Sequence, residues 1–185
     1  MIVIGAAVLI GAFVSTQLLL NSIDGDPEGE RGPGDSVAFE DRAPAFVSDE
    51  FGFTAHFPSE PAVESIEQQF GDIVVPVTVF TAVTGTDQFL VAVADMPENV
   101  LDLQDVDTFL TNSLNGMAGG VGGRVVDRSF TAVSNERAIT GVIHFGDSDE
   151  IHAIITLHDG KQYTITTITS DLEATVAFLQ TFSLQ

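Results

Sequence analysis

The stretch EIHAIITLHDGKQYTITTI, Glu150 to Ile168, decides the fold. Asp159-Gly160 sits between two runs rich in β-branched residues. That dipeptide supplies the two positive-φ positions of a type I′ turn, whose twist matches a tight antiparallel hairpin. In the first arm Ile151, Ala153, Ile155 and Leu157 share one face, and His152, Ile154, Thr156 and His158 share the other. An antiparallel sheet is therefore the frame for the rest of the chain.

Upstream, RVVDRSFTAV (124–133) and AITGVIHF (138–145) read as further strands. Before them DLQDVDTFLTNSLNGMAGG (102–120) changes period: Val106, Phe109, Leu110, Leu114 and Met117 recur at helical spacing. Acids crowd its first turns, which suits the positive end of a helix dipole. The glycines from Gly116 to Gly123 are expected to stop it. Earlier still, VESIEQQF, IVVPVTVFTAV and QFLVAVADM read as strands of a meander, with turns at Gly71-Asp72 and TGTD. Pro76 marks an edge position or a bulge. The first strand is FGFTAHF, with Phe51, Phe53, Ala55 and Phe57 on one face and PSEP closing it. At the C-terminus, SDLEATVAFLQTFSL opens on Ser170 and Glu173 as a capping box. Val176, Phe178 and Leu179 then form the apolar stripe of a helix. The element order β-β-β-β-α-β-β-β-β-α predicts an α+β domain over 46–185, an antiparallel sheet covered by two helices.

The N-terminus has a different composition. Ile2 to Leu20 contains no charged side chain, and about 19 residues at about 1.5 Å each span a hydrocarbon core. With no basic n-region and no small-x-small cleavage site, residues 1–22 are expected to be an uncleaved transmembrane signal anchor. Residues 23–45 are expected to be an acidic Gly/Pro-rich linker, with seven acids against Arg31 and Arg42. Such a segment cannot bury a core and is kept extended by its own charge. With so little positive charge on that flank, the C-terminal domain is expected outside the cytoplasm.

The whole chain carries 27 acids, 6 bases and a net charge of -21, with Lys161 as its single lysine. That balance excludes nucleic acid as a partner, since phosphate binding needs clustered Lys and Arg. It excludes adhesion to an anionic lipid surface as well. The absence of cysteine removes thiolate ligands, cysteine nucleophiles and disulfides.

Four features occur in order: FTAHFPSEP, a mid-chain helix ending in glycines, the tyrosine-bearing hairpin HDGKQYTITTI, and AFLQTFSL. This arrangement resembles the PsbP-like superfamily, in particular its bacterial envelope (LpqN-type) branch. The residues that match are Phe57, Pro58 and Pro61, then Phe178, Leu179 and Phe182, over about residues 46 to 185. The resemblance implies an α/β/α sandwich. It also implies an accessory or binding module, since members serve as an extrinsic subunit of a photosynthetic complex, a partner of a small GTPase, or envelope proteins of unsettled role. It offers no common catalytic residues.

The candidate sites are weak. His144, His152 and His158 lie in one stretch with Asp147, Asp149 and Glu150. On one strand His152 and His158 stand about 20 Å apart, too far for a single ion. If GDSDE is a hairpin loop, His144 and His152 come near each other across strands, and Asp149 or Glu150 supplies a third donor. The spacing matches no established zinc motif, and the same loop lacks the twelve-residue calcium pattern. GMAGGVGGR follows a helix instead of opening one, so it is expected to be a connection and not a phosphate cradle. No serine sits in a Gly-x-Ser-x-Gly elbow. Arg124, Arg128 and Arg137 cluster in one region, as partners for domain acids or as a contact surface. No catalytic, cofactor or metal residues are assigned, and the histidines are taken as polar-face positions of a sheet beside an acidic turn. The function expected is therefore a non-enzymatic accessory or binding module, anchored through its N-terminal helix and meeting a protein partner at the membrane. A carrier or sensor of a small apolar ligand or lipid, with a phenylalanine-lined pocket between sheet and helix, is the alternative.

Overall fold

The computed structural model describes residues 45–70, 73–101, 104–146 and 149–185. The expected anchor, the linker up to residue 44 and the Gly71-Asp72 turn lie outside them. Among the described residues no helix is long and apolar enough to cross a membrane.

The described residues form, in order, β1 (Phe46–Ser48), β2 (Phe53–Ala55), β3 (Ala62–Phe70), β4 (Ile73–Thr84), β5 (Asp87–Asp95), α1 (Glu98–Leu101), α2 (Val106–Gly120), β6 (Arg124–Val133), β7 (Glu136–Phe145), β8 (Asp149–His158), β9 (Lys161–Ile168), α3 (Leu172–Thr181) and β10 (Ser183–Leu184). Seven strands form one antiparallel sheet in the order β3-β4-β5-β9-β8-β7-β6. It is two meanders joined by a crossover. The stretch through α1 and α2 carries the chain from β5 to the far edge, and β6, β7 and β8 then walk back until β9 pairs with β5.

The hairpin that frames the sheet has the expected turn, with Asp159 at φ 49° and Gly160 at φ 73°. Ser134 and Asn135 repeat that two-residue geometry between β6 and β7. Pro76 is tolerated because the β4–β5 pairing stops at Val77↔Ala94. Beyond that point β4 has only β3 beside it, so the missing N–H costs no ladder bond on the β5 side.

One expectation fails at the start of the domain. FGFTAHF does not lead the meander. Only Phe53–Ala55 is strand, and it pairs with β1 and β10 in a separate three-stranded sheet. Pro58 and Pro61 interrupt the ladder before β3, so the segment folds back over the large sheet and its phenylalanines pack downward. Phe53, Ala55 and Phe57 are buried against Phe80, Phe89, Val91, Tyr163 and Phe178. The motif residues that carried the family resemblance meet here: Phe57 lies 5.2 Å from Phe178, and Phe53 stacks at 5.6 Å on Phe182.

The other face belongs to α2. Phe109, Leu110, Leu114 and Met117 are buried against Leu90, Ala92, Ile139, Ile143, Ile151 and Ile155. Val106, placed in that stripe by its spacing, is exposed, because it precedes the first complete turn. Gly141 lets the helix approach: a Cβ there would stand 2.6 Å from Leu114 Cδ2. Asp105 caps α2, its Oδ1 accepting from the Thr108 N–H at 3.0 Å. The helix runs through Gly116, Gly119 and Gly120 and closes only where the Gly123 N–H reaches the Ala118 carbonyl at 2.8 Å, with Gly122 at φ +67°.

The cap of α3 also differs from the Ser170–Glu173 box. Asp171 is the N-cap, and its Oδ1 accepts from the N–H groups of Glu173 and Ala174. A carboxylate one residue nearer the helix takes both orphan donors. Val176 faces solvent, while Thr175 and Phe178 face the sheet. The architecture is three-layered: α2, the seven-stranded sheet, then α3 with the small sheet.

Candidate functional site

The lower layer covers only part of its face. α3 rests on β9, β8 and β2. Farther along, Asp127 and Ser129 of β6 and His144 of β7 are exposed, and Thr140 and Val142 are half-buried. The strands carry this division. β5 and β9 are buried on both faces, whereas β7 alternates buried with half-buried or exposed positions and β6 is exposed along most of its length.

Three of the histidine-stretch residues come together on this bare strip. His144 stands directly opposite Glu150 in the β7–β8 register, and His152 follows two residues along on the same face. His144 Nε2 is 2.5 Å from Glu150 Oε1, and His152 Nε2 is 3.4 Å from Glu150 Oε2. One carboxylate thus bridges two imidazoles. His158 is at the far end of β8, with Nδ1 3.0 Å from Glu136 Oε1 and Nε2 3.5 Å from Asp159 Oδ2. Asp147 lies outside the described residues, and Asp149 opens β8 opposite Phe145.

Glu150 also divides two surface grooves. One, of about 540 Å³, runs from it past His152, Asp149 and Phe145 to Thr169 and Ser170 at the start of α3. The other, of about 530 Å³, runs past His144 to Arg124 and the backbone of Gly122 and Gly123. Gly123 is pressed against β7: a Cβ would lie 2.5 Å from the His144 carbonyl oxygen. The glycine-rich segment is therefore not an anion cradle, because the N–H groups of Val121, Gly122 and Gly123 all turn back to helix carbonyls.

The arginines separate by role. Arg137 forms a two-pronged bond to Asp107 of α2, Nε to Oδ1 at 2.7 Å and Nη2 to Oδ2 at 2.8 Å, and lies 4.3 Å over the Phe130 ring. Hydrogen bonding to this guanidinium holds the Asp107 carboxyl below its usual range and raises Arg137 in turn. Arg124 shares the His144 row, and Arg128 stands on the outermost strand.

The sequence offered the phenylalanines as lining for an apolar pocket, but they pack on one another instead. Phe46, Phe53, Phe57 and Phe80 are in ring contact, as are Phe57, Phe89 and Phe178. Tyr163 was legible only as part of a motif, yet it ties the two sheets together. Its hydroxyl donates to the Phe51 carbonyl at 2.7 Å. Burial, then the charges of Asp159 and Asp95, push the phenol above its ordinary value.

No family model matches the sequence, and no curated protein matches it. Among solved structures, the chain is similar to the solution structure of cyanobacterial PsbP (CyanoP) from Synechocystis sp. PCC 6803. The match has a TM-score of 0.56 at 13% identity and covers 86% of this chain and all of that one. At that identity the likeness is one of fold, and the domain has a PsbP-like α+β fold.

Proposed function

We propose that the chain is an extracytoplasmic accessory or binding module without catalytic activity. Its N-terminal segment anchors it, and it contacts a membrane protein complex or another envelope component, as the resemblance to the LpqN-type envelope branch implies. The observation that carries this reading is the bare strip of the large sheet, Asp127, Ser129, Thr140, Val142 and His144. A sheet face that no other described residues cover, in an otherwise three-layered domain, is a surface available to another molecule. On edge strand β6, Arg124 lies in the His144 row and Asp127 opposite Val142, so the strip offers charged groups of both signs. The PsbP-like fold supports a role in recognition, although fold alone does not assign function.

The test is site-specific photocrosslinking in native membranes. A photoreactive residue at Ser129 or Thr140 should capture one discrete partner, and the same residue at Asn115, exposed on α2, should not. Protease added to intact cells should remove the domain. If neither face position yields an adduct, or if the domain is protected in intact cells and digested only after lysis, the reading is wrong.

A further inference from the structure

We propose that His144, Glu150 and His152 form a surface site for a divalent transition-metal ion of the zinc class, with the two Nε2 atoms and the Glu150 carboxylate as ligands and water completing the shell. The inference stands on these three side chains and not on the accessory-module reading.

The backbone sets the geometry. A directly opposed cross-strand pair has Cβ atoms about 4.5–5.5 Å apart, and residues two apart on a strand about 6.5–7 Å. The three side chains therefore rise from one small triangle on neighbouring, fully paired strands. Ligands on strands are held more firmly than ligands on loops.

The donor spacing fits at His152 and is short at His144. Zinc–nitrogen and zinc–oxygen bonds of about 2.0–2.2 Å in a tetrahedron place neighbouring donors about 3.3 Å apart. The two nitrogen–oxygen separations here are 2.5 and 3.4 Å. Without an ion the carboxylate lies between the imidazoles at ion-pair distances, and among the described residues no three such donors are arranged to hold an ion as they stand. A turn of the Glu150 side chain is the movement that closes the shell, since both Nε2 atoms already stand within 3.4 Å of its carboxylate.

Chemistry selects the ion. Two neutral imidazoles with one carboxylate suit zinc and its neighbours, whereas calcium and magnesium take oxygen shells. The surrounding charge favours a cation: the chain is at -21, and Asp149 lines both grooves beside Glu150. Arg124 is the nearest opposing charge, in the His144 row on the groove side.

The experiment uses the purified, metal-stripped full chain. Titration with Co²⁺ should give visible d–d absorption that saturates at one equivalent and is displaced by Zn²⁺. Zinc at about a hundredfold above its Kd should raise the Tm by about 5–10 °C. The double variant His144→Ala/His152→Ala should lose both signals, Glu150→Gln should weaken them, and His158→Ala should keep them. No cobalt spectrum in the intact chain overturns the proposal. So does a thermal shift that survives the double variant or is matched by Ca²⁺ or Mg²⁺, since either marks a diffuse acidic surface. His144 is exposed and His152 half-buried, so the variants should fold, and their far-ultraviolet circular dichroism verifies that they do.

Discussion

Replacing Tyr163 by Phe removes one oxygen and no packing volume. The residue is 2% exposed, its ring stands 6.1 Å from Phe182, and its hydroxyl reaches the turn between β1 and β2 at the Phe51 carbonyl. A net hydrogen bond contributes about 0.5–1.5 kcal/mol, and stranding its acceptor adds to the loss. Phe51 is half-buried, so water partly replaces the donor and the total should be about 1–2 kcal/mol. With a urea slope of about 2 kcal/mol/M, the midpoint should fall by about 0.5–1 M. The pH dependence gives a second signature. The folded phenol is held above its ordinary value, while the unfolded one ionises near 10. Above that pH the unfolded chain releases a proton that the folded chain keeps. The stability linked to Tyr163 is therefore fully present below about pH 10 and is lost as pH rises through the folded value. Tyr163→Phe should lack that alkaline decline. Because the chain has one tyrosine and no tryptophan, phenolate absorbance reports this group alone. An unchanged midpoint, or a folded-state titration centred near 10, would refute the claim that this hydroxyl pins the two sheets.

Phe178 is fully buried, 5.2 Å from Phe57 and 5.3 Å from Phe89, so Phe178→Ala should cost about 3–5 kcal/mol in urea unfolding. A loss below about 1 kcal/mol would mean that α3 is not seated on the sheet. Asp107→Asn breaks the fork to Arg137 at an exposed site. The carboxyl is held low, so its contribution is present above about pH 4 and fades as pH falls. The variant should differ from the parent at neutral pH and converge with it on acidification, as read from midpoints across that range; a constant offset would rule out the ion pair as the cause.

The legible parts of the sequence were those where local chemistry and tertiary packing agree. Asp159-Gly160 specified its turn because both positions need positive φ. The α2 stripe was readable because Phe109, Leu110, Leu114 and Met117 all face one layer. The second sheet was not readable: FGFTAHF has the same alternation whether its apolar side joins a ladder or lies flat on another sheet, and the choice is made by β10, about 130 residues away. Asp171 displaced Ser170 as the cap because both residues are good caps and only the helix start distinguishes them. The histidine cluster was half legible. Cross-strand proximity of His144 and His152 followed from a short turn, but register alone decides whether Glu150 falls between them, and a slip of one residue would have put it on the α2 face.

The bare strip follows from lengths. Seven strands at about 4.8 Å spacing make a sheet about 29 Å wide. A 10-residue helix such as α3 is about 15 Å long, and the small sheet beside it adds strands of two or three residues. Together they hide β4, β5, β9 and part of β8, which is where the chain places Phe80, Phe89, Val91, Val93 and Tyr163 on that face. Beyond that reach the same face turns to Ser129, Thr131, Thr140 and His144. A strip meant to be hidden by a permanent layer would carry apolar side chains at those positions. Apart from Val142, the side chains there are polar and suit a surface that meets water. The His144–Glu150–His152 trio stands at the boundary between the covered and uncovered halves, with a groove to either side. A bound ion would add positive charge to the strip's margin, next to Arg124, in a protein whose net charge otherwise repels acidic partners. Metal loading would then strengthen docking to an acidic surface and leave docking to a neutral one unchanged.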